Sequence, residues 1–209
     1  MSGFAYPVML DLTGRLCLVV GGGAVAERKV SGLVDAGARV TVVSPSLTRA
    51  LLRLATEAPL CWRPREYVAG DAAGYALVMV ATDDRAVNAQ VTAECRRAGI
   101  WVNCADDPEH CDFILPAVLR RGLVTVSVST GGQSPTMARL VREELDALLP
   151  PDVAPLTEVV ADVRRALSGD GISLDAERWR RALDGELRSL VAAGRTGEAR
   201  AHLRERLGV

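Results

Sequence analysis

Two hydrophobic rhythms alternate along the first half of the chain. Short runs of consecutive apolar residues predict buried strands, and stretches with apolar positions every three to four residues predict helices. Leu16–Val20 reads as the first strand, followed by a helix through about Ala36 that Gly37 terminates. Arg39–Val43, rich in β-branched residues, is the second strand, closed by Pro45. A helix from about Leu47 to Glu57 follows, and Leu60–Tyr67 contains a third strand interrupted by Pro64. Leu77–Ala81 is a buried strand, Arg85–Ala98 a helix, and Ile100–Asn103 a fifth strand. Strictly alternating strands and helices predict an α/β fold, a Rossmann-like doubly wound parallel sheet.

The rhythm changes after Phe113. Ala117–Leu119 and Leu123–Ser129 flank Arg-Arg-Gly and predict a hairpin whose second arm alternates Val124, Val126 and Val128 with Thr125, Ser127 and Ser129. Ser134 and Pro135 are the N-cap and first residue of a helix running to about Leu149, where Pro150-Pro151 stops it. A hairpin and one amphipathic helix cannot bury their apolar faces alone, so this region packs on the sheet domain or meets a second subunit. Residues 152–209 predict two or three helices, broken near Ser168–Gly171 and Ala193–Gly197. Three regions result: 1–113, 114–150 and a small C-terminal helical domain at 151–209.

Composition narrows the functional classes. A net charge of −1 argues against a nucleic-acid binder. No apolar run approaches the roughly 18 residues of a membrane helix. No positive charge precedes Asp11, so the start does not read as a secretory signal. The five cysteines form no C-x-x-C pair and sit mostly in apolar contexts, as buried free thiols of a reducing cytoplasm would. Lys29 is the only lysine, which a compositional preference for Arg explains.

Candidate chemistry begins at the end of the first strand. Gly21-Gly22-Gly23-Ala24-Val25-Ala26 fits G-x-G-x-x-G/A: Gly21 permits the turn, Gly23 admits a pyrophosphate, and Ala26 fills the third small position. The following helix N-terminus offers amides and a positive dipole end to an anion. Ser44, at the end of strand two, stands where NAD-specific proteins often carry an acid for the ribose. No Arg stands there either, so the choice between NAD and NADP stays open. Strand four ends in Ala81-Thr82-Asp83-Asp84: Thr82 faces the expected nicotinamide side, and Asp83 or Asp84 caps the Arg85 helix. Strand five runs into Asn103-Cys104-Ala105-Asp106-Asp107-Pro108-Glu109-His110-Cys111-Asp112, the richest reactive cluster of the chain. Its spacing matches no common zinc pattern, and no metal site is assigned. A carboxylate there suits a dehydrogenase, which needs a proton acceptor beside its hydride acceptor. A Tyr-x-x-x-Lys dyad is impossible, since Val25 precedes the sole lysine by four, and G-x-S-x-G is absent.

Together, Tyr-Pro-Val-Met-Leu-Asp-Leu at 6–12, the glycine segment at 20–29, Ala-Thr-Asp-Asp at 81–84, residues 102–113 and Ser-Thr-Gly-Gly-Gln-Ser-Pro at 129–135 resemble a known family. It is the precorrin-2 dehydrogenase/sirohydrochlorin ferrochelatase family, the siroheme-synthase N-terminal module, over roughly residues 6–150. The resemblance implies NAD-dependent oxidation of precorrin-2 to sirohydrochlorin, with ferrous insertion to give siroheme as a second family activity. It places the family's catalytic aspartate on Asp106 and its NAD contacts on Ala24, Val25, Pro45 and Ser46. It also implies a homodimer, with 114–150 as the dimerisation region. The last 58 residues match weakly, and the fused form's methyltransferase is missing, so the chain is not expected to make precorrin-2 itself. The substrate the resemblance implies is a tetrapyrrole bearing eight carboxylates, for which Arg28, Arg120, Arg121, Arg139 and Arg142 are candidate anchors. His110 is a weaker candidate for delivering ferrous ion. A reading from another class is an NAD-sensing regulatory dimer without catalysis, which the acidic loop at 106–112 and the helical tail disfavour.

Overall fold

The computed structural model describes residues 6–105, 107 and 110–209. The chain divides into two compact units, one up to Leu115 and one from Pro116 to Val209.

Unit one is built on a five-stranded parallel sheet of order β3-β2-β1-β4-β5. Its strands are β1 (Leu16–Val20), β2 (Arg39–Val43), β3 (Leu60–Arg63), β4 (Leu77–Val80) and β5 (Trp101–Cys104). Helices α1 (Ala24–Asp35) and α2 (Arg49–Glu57) follow β1 and β2, and α3 (Arg85–Ala98) joins β4 to β5. The period-two pleat sorts the apolar run of β1 onto both faces. Cys17 and Val19 pack with Val30 and Leu33 of α1 and Leu51 of α2. Leu18 and Val20 pack with Val91 and Cys95 of α3. Coverage on both faces is why these strands read as unbroken apolar runs.

The expected elements of this unit are present with shifted ends. Pro64 ends β3 at Arg63, so the third strand stops well short of Tyr67. Helix α2 begins at Arg49 rather than Leu47, because Thr48 is its N-cap and accepts from the Leu51 amide at 3.2 Å. Asp84, not Asp83, caps α3, accepting from the Ala86 and Val87 amides at 2.8 and 3.2 Å. Gly99 closes α3 in the left-handed region, which moves β5 one residue past the expected start.

Unit two opens with the antiparallel hairpin β6 (Ala117–Arg121) and β7 (Val124–Val128). Its turn is Gly122-Leu123 rather than Arg-Arg-Gly: Arg121 pairs with Val124, and Gly122 takes the positive φ (+56°) that a two-residue hairpin turn requires. Helix α4 (Pro135–Leu148) packs on this hairpin, capped by Ser134, which accepts from the Met137 amide at 3.3 Å. Four helices follow rather than two or three: α5 (Val153–Gly169), α6 (Ala176–Ala182), α7 (Gly185–Ala192) and α8 (Thr196–Leu207). The unforeseen break is at Leu183-Asp184, where the Asp184 carboxylate accepts from the Leu187 amide at 2.9 Å and starts α7. Leu156, Val159, Val163 and Leu167 form the α5 stripe of the core here, against Leu187, Val191, Leu203 and Leu207.

Candidate functional site

The carboxyl ends of β1, β2, β4 and β5 carry the candidate residues of unit one, as expected for an open parallel sheet. The turn after β1 is made of backbone. Gly21 has φ +115°, and a Cβ on it would meet the Ala81 carbonyl oxygen at 2.2 Å. Gly21 therefore lets the turn lie against the end of β4, and its amide donates to the Val43 carbonyl at 2.9 Å. Gly22 is as tightly enclosed: a Cβ would fall 1.9 Å from the Ser46 carbonyl oxygen and 2.7 Å from Ser44 Oγ. The spacing motif gave Gly22 no role, and three successive glycines were the available signal.

Gly23 is the opposite case. A Cβ there would meet nothing within 4 Å. It is the N-cap of α1 and supplies no side-chain cap. The first-turn amides of Ala24 and Val25 have no earlier helical carbonyl to bond, and both residues are exposed. Open space beside bare amides at the positive end of a helix fits a pyrophosphate. Glu27 sits in the same first turn, where its Oε2 accepts from Thr48 Oγ1 at 2.7 Å and ties α1 to the loop after β2.

That loop holds Ser44, Pro45 and Ser46. Pro45 and Ser46 are exposed. Ser44 is buried, and its hydroxyl donates to the Ser46 carbonyl at 2.8 Å. Its proton is thus committed to bracing the turn against Gly22. After β4, Thr82 is partly buried; its hydroxyl lies 2.6 Å from Asn88 Oδ1, and the Asn88 amide donates back to the Thr82 carbonyl at 3.0 Å.

The end of β5 is built from side chains. Asn103 Oδ1 accepts from Lys29 Nζ, a residue 74 positions earlier on α1. Lys29 is only 7% exposed, so the sole lysine is a buried side chain that holds Asn103, a role that composition did not reveal. Asn103 Nδ2 donates to the Phe113 carbonyl at 2.9 Å. The Cys104 amide donates to Cys111 Sγ at 3.1 Å, and that thiol lies 3.1 and 3.2 Å from the Cys104 and Asp107 carbonyls. Asp112 returns its Oδ2 to the Val102 amide at 2.9 Å. The segment Cys111–Phe113 is thus pinned back onto β5. Asp106, the expected catalytic residue, lies in it outside the described residues. His110 Nδ1 pairs with Asp107 at 2.7 Å on the exposed side.

Burial pushes the Cys111 thiol up and lifts Cys17 and Cys95 to about 11, so all three stay protonated near neutral pH. Cys61 is exposed, unlike the other four. Of the candidate arginines, Arg121 is paired with Asp146 and Arg142 with Glu143 at 2.7 Å. Arg28, Arg120 and Arg139 are exposed and have no acidic partner among the described residues.

A parallel sheet of this order, with a glycine turn against a bare helix N-terminus, defines a dinucleotide-binding domain of the Rossmann class. Residues 8–117 match the model of a family described as putative NAD(P)-binding, and the chain belongs to that family. Residues 121–148 match a second model, described as sirohaem biosynthesis protein central. Among curated proteins, the chain is 41% identical over 201 residues to the siroheme synthase of Methylococcus capsulatus, covering 95% of this chain and 42% of that protein. It is 41% identical over 204 residues to the siroheme synthase of Nitrosomonas europaea, covering 96% and 43%. The chain thus spans less than half the length of these relatives. Among solved structures, SirC, a precorrin-2 dehydrogenase, superposes with a TM-score of 0.76 at 26% identity, covering 96% of this chain and 100% of that one. The resemblance drawn from the motifs is therefore borne out.

Proposed function

We propose that the chain oxidises precorrin-2 to sirohydrochlorin with NAD as hydride acceptor, in siroheme biosynthesis. The observation that carries the reading is the pairing of Gly23's open flank with the bare amides of Ala24 and Val25. It is supported by relatives named siroheme synthase and by the likeness to a precorrin-2 dehydrogenase.

Bound NAD supplies the hydride acceptor. The amides of Gly23, Ala24 and Val25 would hold its pyrophosphate, Pro45 and Ser46 would receive its adenosine ribose, and Thr82 its nicotinamide end. Gly21 and Gly22 contribute by letting the three strand ends come together. Asp106 takes the proton lost as the tetrapyrrole extends its conjugation: precorrin-2 and NAD give sirohydrochlorin, NADH and a proton. The network of Lys29, Asn103, Cys111 and Asp112 fixes the loop that carries Asp106. Arg28, Arg120 and Arg139 have no acidic partner among the described residues, which leaves each guanidinium open to a carboxylate of the substrate.

Ferrous insertion into sirohydrochlorin is the second activity of this reading, with Asp106 accepting the pyrrole protons as iron enters. His110 is less suited to deliver iron, since Asp107 already engages it. The chain works as a homodimer through region 114–150. Met137, Leu140 and Leu148 of α4 are 48, 46 and 76% exposed, and a second copy would cover them. Region 151–209 supplies the helical part of the second unit in this scheme. A cytoplasmic location goes with it, since unpaired thiols persist in a reducing compartment.

Anaerobic incubation of the purified chain with precorrin-2 and NAD tests the proposal. Sirohydrochlorin and reduced coenzyme should appear in equal amounts. Coenzyme binding without either product would instead establish a regulatory NAD sensor. Adding ferrous ion to the same mixture reads the second activity.

A further inference from the structure

We propose that Arg63 lets the coenzyme cleft accept a dinucleotide with a 2′-phosphate on its adenosine ribose, as well as one with free hydroxyls. The inference rests on the coenzyme site proposed above and concerns its selectivity. In sheets of this class, an acid at the end of the second strand binds the ribose hydroxyls and repels a phosphate, whereas a nearby Arg accommodates it. Here that position is Ser44, an uncharged side chain turned onto the Ser46 carbonyl. No acidic side chain stands at that position to repel a phosphate, and the Glu27 carboxylate is tied to Thr48 at 2.7 Å.

The neighbouring strand supplies the cation. Val43 is in register with Arg63, the Ser44 amide donates to the Arg63 carbonyl at 3.3 Å, and Trp62 Nε1 donates to the Ser44 carbonyl at 2.9 Å. Adjacent strands lie about 4.8 Å apart, so Arg63 leaves the sheet one strand spacing from Ser44, at the same carboxyl edge. The linear sequence hides this, since the two residues are 19 positions apart.

Charge pairing leaves Arg63 available. Asp71 is engaged by Arg65 through two hydrogen bonds of 2.6 Å and also accepts from the Val68 amide at 3.0 Å. Arg65 holds that carboxyl below the usual aspartate range. Arg63 reaches the same carboxylate at only 3.4 Å, with its side chain 43% exposed. One carboxylate therefore serves two guanidiniums, and the net positive charge rests on the looser one. An Arg fork held this weakly can turn to a phosphate, which it binds in bidentate geometry.

Calorimetric titration of the full chain with NAD and, separately, with NADP tests the proposal. The wild-type dissociation constants should lie within about tenfold of each other, with NADP binding weakening faster as salt rises. Arg63→Gln should raise the NADP-to-NAD ratio of dissociation constants by about tenfold or more, the scale of a charge-assisted hydrogen bond. Arg63→Lys should give an intermediate ratio, and Arg97→Gln, an exposed change on α3, should leave the ratio as it is. Should Arg63→Gln fail to fold, Ser44→Asp carries the same test by adding the missing repulsion, and it should raise the ratio as well. A wild type that binds NAD but not NADP, or a ratio unmoved by Arg63→Gln, would overturn the proposal. Failure to bind either dinucleotide would be a different result, removing the coenzyme site itself.

Discussion

The ends of β1 and β5 face the same edge of one sheet and are built in different ways. At β1, the closest approaches are of backbone to backbone: Gly21 lies against the Ala81 carbonyl and Gly22 against the Ser46 carbonyl. At β5, buried side chains hold the chain in place: Lys29 on Asn103, and Cys111 on both Cys104 and Asp107. The first is a rigid seat whose shape depends on missing atoms. The second is a clamp whose grip depends on hydrogen-bond chemistry. Binding and catalysis should therefore fail separately when each end is damaged.

The largest separation is expected from Asp106→Asn. A proton acceptor of this kind contributes about 10²–10⁴-fold to rate. The variant should lose most of the oxidation in a single-turnover assay while its NAD affinity stays near wild type. Full oxidation by that variant would remove Asp106 from the chemistry.

Damage to the seat should register in the fold. Gly22→Ala places a methyl 1.9 Å from a backbone oxygen that cannot yield without moving the loop after β2. A loss of about 3 kcal/mol in urea unfolding is expected, the upper range for overpacking. Asn103→Ala probes the clamp. It removes a partner of the buried Lys29 ammonium and should cost about 2 kcal/mol, the scale of a hydrogen bond to a charged group. Its kcat for oxidation should fall more than its affinity for NAD. An equal fall in both would mean the two ends act as one body.

The smallest effect concerns pH. Arg65 depresses the folded-state pKa of Asp71, so the unfolded chain binds this proton more readily than the folded one. The Asp71 carboxylate thus adds stability above the ordinary aspartate pKa of about 3.9, and that contribution disappears as pH falls through the lower folded value. Thermal melts of wild type and Asp71→Asn should differ at neutral pH and converge in strong acid. A difference that grows with acidity would reverse the assigned sign.

What could be read from the sequence follows the same division. Local chemistry was legible: the apolar run of Leu16–Val20, an aspartate cap at 83 or 84 before Arg85, and the Ser134-Pro135 start of α4 each depend on residues within a few positions. The glycine turn was legible as a turn, but Gly22's role depends on Ser46, brought in by the loop after β2. Lys29 of α1 and Asn103 of β5 meet only in the folded domain, and Arg63 neighbours Ser44 only through strand register. Neither relation leaves a local pattern. The break at Leu183-Asp184 was missed for a different reason: Asp-Gly starts α7 within a stretch whose charge density reads as continuous helical surface.

The placement of the coenzyme across Gly23 is tested most directly by Gly23→Val, with NAD affinity and melting temperature measured on the same sample. The added side chain meets no protein atom within 4 Å of its Cβ, and the backbone there has φ −83°. The account expects an unchanged melt for the free protein and loss of measurable NAD binding, because valine fills the space assigned to the pyrophosphate. Wild-type affinity in a folded Gly23→Val chain would contradict it.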